Sequence, residues 1–229
     1  MSDSQRELSG APPAAAQPVS PAHLIPLAVV AIAALALWWG SRPAEGWTVL
    51  ESVDAERNDG QSLDAGDRFP FATIRTTGIG SADLQLGETV RVVVLPGSKV
   101  ELPPGPGRWV GRERAVRVAK GRVLITTGDR PPDYRLAVLT PHSRTQVGAA
   151  TFSVERIPAG TRICLARGHI ETEAPAREIV LSVPEGMQLQ LYSGGLEPEI
   201  GSQTEEERAR LEAVDRAGIA PRSAMRRGS

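Results

Sequence analysis

Cysteine is almost absent from this chain of 229 residues, which contains Cys164 and no second cysteine. A single cysteine cannot form an internal disulfide or a cysteine-based metal site, so the fold must depend on apolar burial and backbone hydrogen bonds. Aromatic residues are also scarce, at 4% of the chain, whereas glycine (23) and proline (19) are plentiful. Together with many short valine-rich runs, this composition favours strands and turns over helices.

The chain has no excess of charge of either sign, because 26 Lys and Arg residues balance 27 Asp and Glu residues. The net charge is -1 and the pI is about 6.3. No basic field is available to attract a phosphate backbone, and no run of Lys or Arg indicates a groove. We therefore expect no nucleic-acid partner.

The sequence also has no recognisable set of catalytic residues. His23, His142 and His169 are far apart, and no H-x-H pair brings two imidazoles to one metal. Cys164 lies between two aliphatic residues, where a small buried hydrophobe is more expected than a nucleophile. No phosphate-binding loop, dinucleotide fingerprint or Gly-x-Ser-x-Gly motif is found. We expect neither enzyme activity nor a cofactor or metal site, and no small-molecule substrate is identified.

The longest apolar run is LIPLAVVAIAALALWWG, at residues 24–40, and it contains no charged residue. At about 1.5 Å per residue it covers roughly 25 Å, close to the hydrocarbon thickness of a bilayer. Leu24 begins the run, and Trp38 and Trp39 close it where an interfacial aromatic belt would lie. Because a basic n-region and a suitable cleavage site are missing, we predict an uncleaved transmembrane helix. A cleaved signal peptide and a soluble helix are the alternatives.

The segments on either side of this run are short. Residues 1–23 are rich in Ala and Pro, which predicts a disordered tail, and residues 41–46 are predicted to form a linker. From Trp47 the periodicity changes to two, which predicts a β domain over residues 47–192. The strand candidates are Thr48–Val53, Phe69–Ile74, Ala82–Leu86, Val90–Leu95, Val100–Leu102, Ala115–Ala119, Arg122–Thr126, Tyr134–Leu139, Thr151–Arg156, Arg162–Ala166, His169–Glu173, Glu178–Val183 and Gln188–Tyr192.

Residues 193–229 are expected to form a C-terminal helix and a basic tail. Thr204 and Glu207 have the spacing of a capping box, with the Thr204 hydroxyl accepting from the Glu207 amide and the Glu207 side chain reaching back to the Thr204 amide. Gly218 and Pro221 are typical of a helix end. The apolar stripe is thin, so the sequence leaves open whether the helix packs on the β domain or frays in solvent.

Several segments of the β domain resemble the FecR domain. Val116–Leu124 is similar to its central signature, a hydrophobic strand entering Gly-Arg-Val, and Leu63–Asp67 to its "L-x-x-G-D" opening. Ser98–Leu102 matches the "S-x-V-x-L" element, and Arg162–Ile170 resembles the "V-x-V-x-x-G-x-V" hairpin. Further similar segments are Ala82–Leu86, Leu139–Pro141 and Val183–Met187. One departure is that Ala149 and Ala150 replace the usual Gly-Thr.

The resemblance implies a periplasmic all-β domain, an elongated and twisted solenoid or sandwich of short strands, anchored by one inner-membrane helix. Members of the family regulate sigma factors through a cytoplasmic segment before the helix. Here residues 1–23 are too short and too Pro-rich for a folded sigma-binding helix bundle.

Three arginines lie in or next to the segment that resembles the central FecR signature. If Arg114, Arg117 and Arg122 share a face, they form a positive patch that contacts a partner. Solvated residues on the polar faces of strands are the alternative.

The apolar run predicts a single-pass membrane protein. The charges on either side of the run do not settle its orientation, and the FecR resemblance implies the bacterial inner membrane, with a cytoplasmic N-terminus and a periplasmic β domain. The expected function is a non-enzymatic interaction, sensory or scaffold module of the envelope, in contact with inner-membrane lipid and an envelope protein. An exposed sheet edge could bind that protein by strand addition. The alternatives are a truncated anti-sigma-type regulator of an extracytoplasmic sigma factor and, third, an envelope enzyme.

Overall fold

The computed structural model describes residues 29–36, 38, 46–105, 113–129, 132 and 134–219. The chain divides into two compact units, Met1–Trp39 and Gly40–Ser229. In the first unit, residues 29–36 form helix α1, whose large apolar side chains are between 60% and 68% exposed.

The predicted transmembrane helix lies partly outside the described residues, as do its boundary residues Leu24 and Trp39. Among the residues that are described, no helix is both long and apolar enough to cross a bilayer. The tail at residues 1–23, most of the linker at residues 41–46 and the basic tail after residue 219 also lie outside the described ranges. These assignments stay predictions.

The second unit is built from strands, as the periodicity predicts, and one helix follows them. The elements are β1 (Trp47–Arg57), β2 (Arg68–Phe69), β3 (Ala72–Leu86), β4 (Val90–Val94), β5 (Lys99–Leu102), β6 (Glu113–Thr126), β7 (Arg135–Leu139), β8 (Arg144–Ile157), β9 (Gly160–Ala174), β10 (Ile179–Ser182), β11 (Met187–Tyr192), β12 (Glu199–Ser202) and α2 (Glu205–Ala217). The all-β prediction is therefore confirmed for this unit.

All the strands belong to one sheet, with the order β12-β11-β9-β8-β7-β6-β4-β3-β1-β2. The strand β10 pairs with β9, and β5 pairs with both β3 and β6. Among the described strands, every pairing is antiparallel except that between β6 and β7, which is parallel. Alternation of buried and half-buried residues along β4 shows the period of two that the sequence predicts.

The four long strands β3, β6, β8 and β9 pair with different neighbours along their two halves. We call the two resulting sets of paired half-strands the two rows of the sheet. Near one end β3 pairs with β4, and near its other end with β5. In the same way β9 pairs first with β11 and then with β10. Both rows contribute to one apolar core, whose largest buried side chains include Trp47, Ile74, Ile125 and Phe152. The sheet therefore folds over on itself around a shared core.

Glycines lie where two of these strands bend, and here two predictions were wrong. The expected hairpin over Arg162–Ile170 is a single strand, β9, which continues through Gly168. Gly168 has φ +93°, and a Cβ there would lie 1.9 Å from the Ala149 carbonyl oxygen. Likewise the two predicted short strands on either side of Gly121 are one strand, β6, with φ +78° at the glycine.

The length of the strands also departs from the expected stack of short ones, because β3, β6, β8 and β9 contain 14 or 15 residues each. The bend of β8 lies between Val147 and Ala150, where its register against β9 shifts. The departure from the FecR pattern at Ala149 and Ala150 thus falls at this bend. Beyond Tyr192, the structure adds the strand β12, which the periodicity did not indicate.

The helix α2 packs on the sheet, which answers a question that the sequence left open. Its N-cap is Thr204, whose hydroxyl accepts from the Glu207 amide, as predicted. Gly218 ends the helix with φ +59°. One fully buried leucine of α2, Leu211, packs against Leu124 of β6 and Cys164 of β9. This small apolar cluster is separate from the main core.

Candidate partner-binding surfaces

The structure separates the three arginines of the predicted patch. Arg114 and Arg117 both line an open groove of about 390 Å³ on β6, together with Phe71. Arg117 is the more exposed of the two, and its Nε lies 3.9 Å from a carboxylate oxygen of Glu101. Arg122 lies beyond the bend of β6, and its side chain contacts α2 and does not line the groove. The groove also contains acidic residues, so its charge is mixed.

Arg122 forms the first polar contact between α2 and the sheet. Its Nη1 lies 2.5 Å from Oε2 of Glu207 on α2, and its Nη2 lies 2.8 Å from Oε2 of Glu155 on β8. The Ser153 hydroxyl donates to the other carboxylate oxygen of Glu207 at 2.5 Å. Glu207 is only 8% exposed, and these charge-assisted hydrogen bonds compensate its desolvation.

Asp215 forms the second polar contact, two helical turns further along α2. It accepts from Nη2 of Arg167 at 2.9 Å and from the Thr151 hydroxyl at 2.6 Å. Burial alone would raise the pKa of Asp215, but the hydrogen bonds from Arg167 and Thr151 outweigh it and hold this pKa below its ordinary value.

Cys164 lies in the apolar patch between these two contacts. The structure places it in a buried position, 1% exposed, as the sequence predicts. Burial raises the pKa of the Cys164 thiol to about 11, and the nearby Glu207 carboxylate adds to this. The thiol is therefore protonated at neutral pH, which favours a packing role over a nucleophilic one.

Both ends of α2 are also held by side chains that sequence reasoning missed. Before the helix, Gln203 donates from Nε2 to the carbonyls of Leu165 and Met187, at 2.7 and 2.8 Å. After it, Arg91 donates to the Gly218 carbonyl at 2.7 Å. The capping box indicated the helix, but no local signal indicated the strands against which it lies.

A different surface is the end of the sheet at β12. This strand is last in the strand order and pairs with β11. Ile200 on β12 is 46% exposed, and Leu196, just before the strand, is 64% exposed. An edge strand presents backbone N–H and C=O groups on its outer side, which can pair with another chain.

His23 lies outside the described residues, and within the described ranges His142, His169 and the turn at Asp64 and Asp67 form no further site. No group of three or more His, Cys, Asp or Glu residues within the described ranges is arranged to hold a metal ion. His169 is largely exposed, with Nε2 3.6 Å from a carboxylate oxygen of Glu171. Asp67 accepts a hydrogen bond from the Asp64 amide at 3.1 Å, which is a turn contact.

Comparisons with known proteins identify a similar fold. No protein family matches the sequence, and no curated protein matches it. Two crystal structures of a candidate anti-sigma factor from Parabacteroides distasonis ATCC 8503 are similar to this chain. One has a TM-score of 0.50 at 16% identity and covers 58% of this chain and 61% of that one. The other has a TM-score of 0.51 at 15% identity, with 59% and 62% covered.

These similarities extend over about three fifths of the length of the solved chains. At 15% or 16% identity they show a shared fold and nothing further. The FecR resemblance of the sequence motifs stays a prediction.

Proposed function

We propose that this chain is a membrane-anchored, FecR-like module of the bacterial envelope that binds another protein and is not an enzyme. The observation that carries this proposal is the open end of the sheet at β12, where Ile200 and Leu196 are exposed. Strand addition at such an edge supplies main-chain hydrogen bonds, and the exposed apolar side chains supply contact area. The shared fold with a candidate anti-sigma factor supports a signalling or sensory role.

The proposed anchor is the apolar run at residues 24–40, with the N-terminus in the cytoplasm and the β domain in the periplasm. The exposed apolar side chains of α1, such as Val30 and Ile32, each 68% exposed, support lipid as their environment. Leaving several such side chains in water would cost about 1.5–3 kcal/mol each relative to burying them.

The topology is tested with a reporter that is active only in the periplasm, fused after Ser229. We expect activity, and we expect the protein to need detergent for extraction and to retain the residues before Trp47. An inactive fusion, together with activity of a second reporter that works only in the cytoplasm and is fused at the same place, would mean that the orientation is reversed. A soluble product that begins near Ala44 would replace the anchor by a cleaved signal peptide.

The interaction is tested by placing a photo-crosslinking amino acid at Ile200 in the full chain in cells. We expect a discrete crosslinked partner, whose yield falls when the neighbouring Leu196 is changed to Lys. The same probe at Ile79, which is 81% exposed and lies on β3, is the matched control. Equal crosslinking at both positions, or none at Ile200, would contradict binding at the β12 edge.

A second function is regulation of an extracytoplasmic sigma factor. It is favoured because both similar structures are of a candidate anti-sigma factor. In that case the segment before the membrane would contact the sigma factor. Deleting residues 2–23 would then change transcription from the promoters of that sigma factor, whereas a scaffold would tolerate the deletion. An adjacent gene for such a factor would make the experiment direct.

A further inference from the structure

The outer face of the sheet beneath α2 combines two cations with an apolar patch between them. Arg122 on β6 and Arg167 on β9 are the cations, and each binds a carboxylate of α2. Leu124 and Cys164 lie between them, with Leu95 partly buried at the margin. We call this surface the helix groove.

The face of α2 that fills the helix groove has a matching pattern. Glu207, Leu211 and Asp215 are spaced four residues apart, so they lie on one side of the helix. The two carboxylates are separated by about 12 Å along the axis, from the rise of 1.5 Å per residue. The helix groove thus contacts an acidic residue, a leucine and a second acidic residue, in that order along α2.

The contact of α2 with the sheet is also separable from the fold. The main core cluster contains no residue of α2 within the described part of the chain. Leu211 is the one apolar residue of α2 that is fully buried, and the other buried residue is the charged Glu207. Local units with little apolar burial open at a lower free energy than the core. We therefore expect α2 to leave the sheet at a lower free energy than global unfolding requires.

We propose that the helix groove is a binding site for acidic amphipathic helices and that α2 is its resident, self-inhibiting ligand. The ligand class is a helix with carboxylates eight residues apart on either side of a leucine, the stripe that α2 itself presents. A partner helix with this stripe would bind when α2 is displaced. This site is distinct from the β12 edge and does not depend on binding there.

Cys164 provides the measurement, because it is the only cysteine of the chain and lies beneath α2. The rate at which a maleimide labels the native full-length protein in detergent reports how often the groove opens. Leu211→Ala removes the buried anchor of α2, and we expect labelling to become roughly tenfold to a hundredfold faster. Ile79→Ala, a truncation of similar size at a position that is 81% exposed, is the control and should leave the rate unchanged.

Binding in trans is tested on the Leu211→Ala chain, because a helix joined by two residues to β12 has a very high effective concentration in the wild type. A synthetic peptide with the sequence of residues 203–219 should slow the labelling of Cys164 in a concentration-dependent way. A peptide with Glu207→Gln and Asp215→Asn should not. A third peptide, with Glu206→Gln and Glu212→Gln, has the same net charge as the second and keeps the stripe, so it should still protect.

Two controls separate local opening from unfolding. The far-ultraviolet circular dichroism and melting temperature of the Leu211→Ala chain must show a folded sheet. If that variant fails to fold, Glu207→Gln replaces it, with Glu206→Gln as the matched control. The labelling rate should also depend only weakly on urea, because local opening exposes little surface.

Three results would overturn the proposal. Cys164 of the wild type could label as fast as in the unfolded chain, which would mean that α2 does not cover it. The variants could label no faster than their controls, which would mean that α2 does not open separately. The peptide with the stripe could fail to protect, or protect no better than the peptide without it, which would mean that the groove does not select this ligand.

Discussion

Arg122 of β6 and Glu207 of α2 are 85 positions apart in the sequence, and their side chains meet at 2.5 Å. Glu207 is also the fourth and last residue of a capping box, where its carboxylate could turn back to the backbone amide of Thr204. In the structure that carboxylate binds Arg122 and Ser153 instead. The same glutamate therefore contributes its amide to the start of the helix and its side chain to the docking of the helix.

Replacing Arg122 tests how much this contact stabilises the domain. Arg122→Gln leaves the buried Glu207 without a cation, whereas Glu155 keeps Arg162, whose Nη1 lies 3.3 Å from its Oε2. We expect a loss of about 2–4 kcal/mol in the free energy of unfolding. Arg117→Gln on the same strand is the control, since this exposed side chain should contribute less than about 0.5 kcal/mol. Urea unfolding followed by circular dichroism gives both values. Equal losses would mean that the contact is as weak as a surface ion pair.

The bend of β9 depends on the absence of a side chain at Gly168. Gly168→Ala adds a Cβ 1.9 Å from the Ala149 carbonyl oxygen, at φ +93°. We expect a loss of about 3 kcal/mol or more, from the backbone strain and the collision together. Gly78→Ala is the matched control, because no atom lies within 4 Å of its added Cβ. The two melting temperatures are compared, and a Gly168→Ala protein as stable as Gly78→Ala would argue against the bend.

Two phenylalanines allow the core to be tested by the same substitution. Phe152 is fully buried in the main core, and Phe71 is 62% exposed beside the groove that Arg117 lines. Phe152→Ala should lower the free energy of unfolding by about 3–5 kcal/mol, because it removes a large side chain from a closed core. Phe71→Ala should change it by about 0.5 kcal/mol or less. A large effect at Phe71 would show that another part of the chain covers it.

Acid should weaken the contact between Asp215 and Arg167. The pKa of Asp215 is lower in the folded protein than its ordinary value of 3.8, so its ionised form stabilises the fold above that value. This contribution is lost as the pH falls through the lower, folded pKa. At pH 7, Asp215→Asn should cost about 1 kcal/mol, discounted for partial exposure.

The difference between wild type and Asp215→Asn should shrink below about pH 4, when free energies of unfolding are measured from pH 7 downward. Asp129→Asn is the control, since Asp129 also contacts Arg167 but is 89% exposed, and it should change little at any pH. A difference that persists unchanged in acid would assign the effect of Asp215→Asn to packing and not to charge.

Local patterns predicted much of the β domain. The run Val90–Leu95 corresponds to β4, and alternation of apolar and polar residues found most other strands because side chains of a strand point to opposite faces in turn. The capping box found the start of α2, since that motif satisfies amides within the same turn. These features need only neighbours in the sequence.

The glycine bends were not predictable in the same way. Glycine with positive φ is typical both of a turn that ends a strand and of a bulge within a strand that continues. Which of these occurs at Gly121 and Gly168 depends on the strands that pair on either side. The sequence alone could not distinguish a hairpin from a bent strand, because the two differ in distant partners and not in local residues.

By itself the sequence determined the all-β character of the domain, the position of the C-terminal helix and the apolar run at residues 24–40, because each follows from periodicity or composition over a few turns. Only the tertiary structure decided that Arg122 leaves the predicted patch and binds Glu207, and that Cys164 lies beneath α2. The physical reason is that burial and ion pairing depend on which surfaces meet, and the folded-over sheet brings together residues that are tens of positions apart.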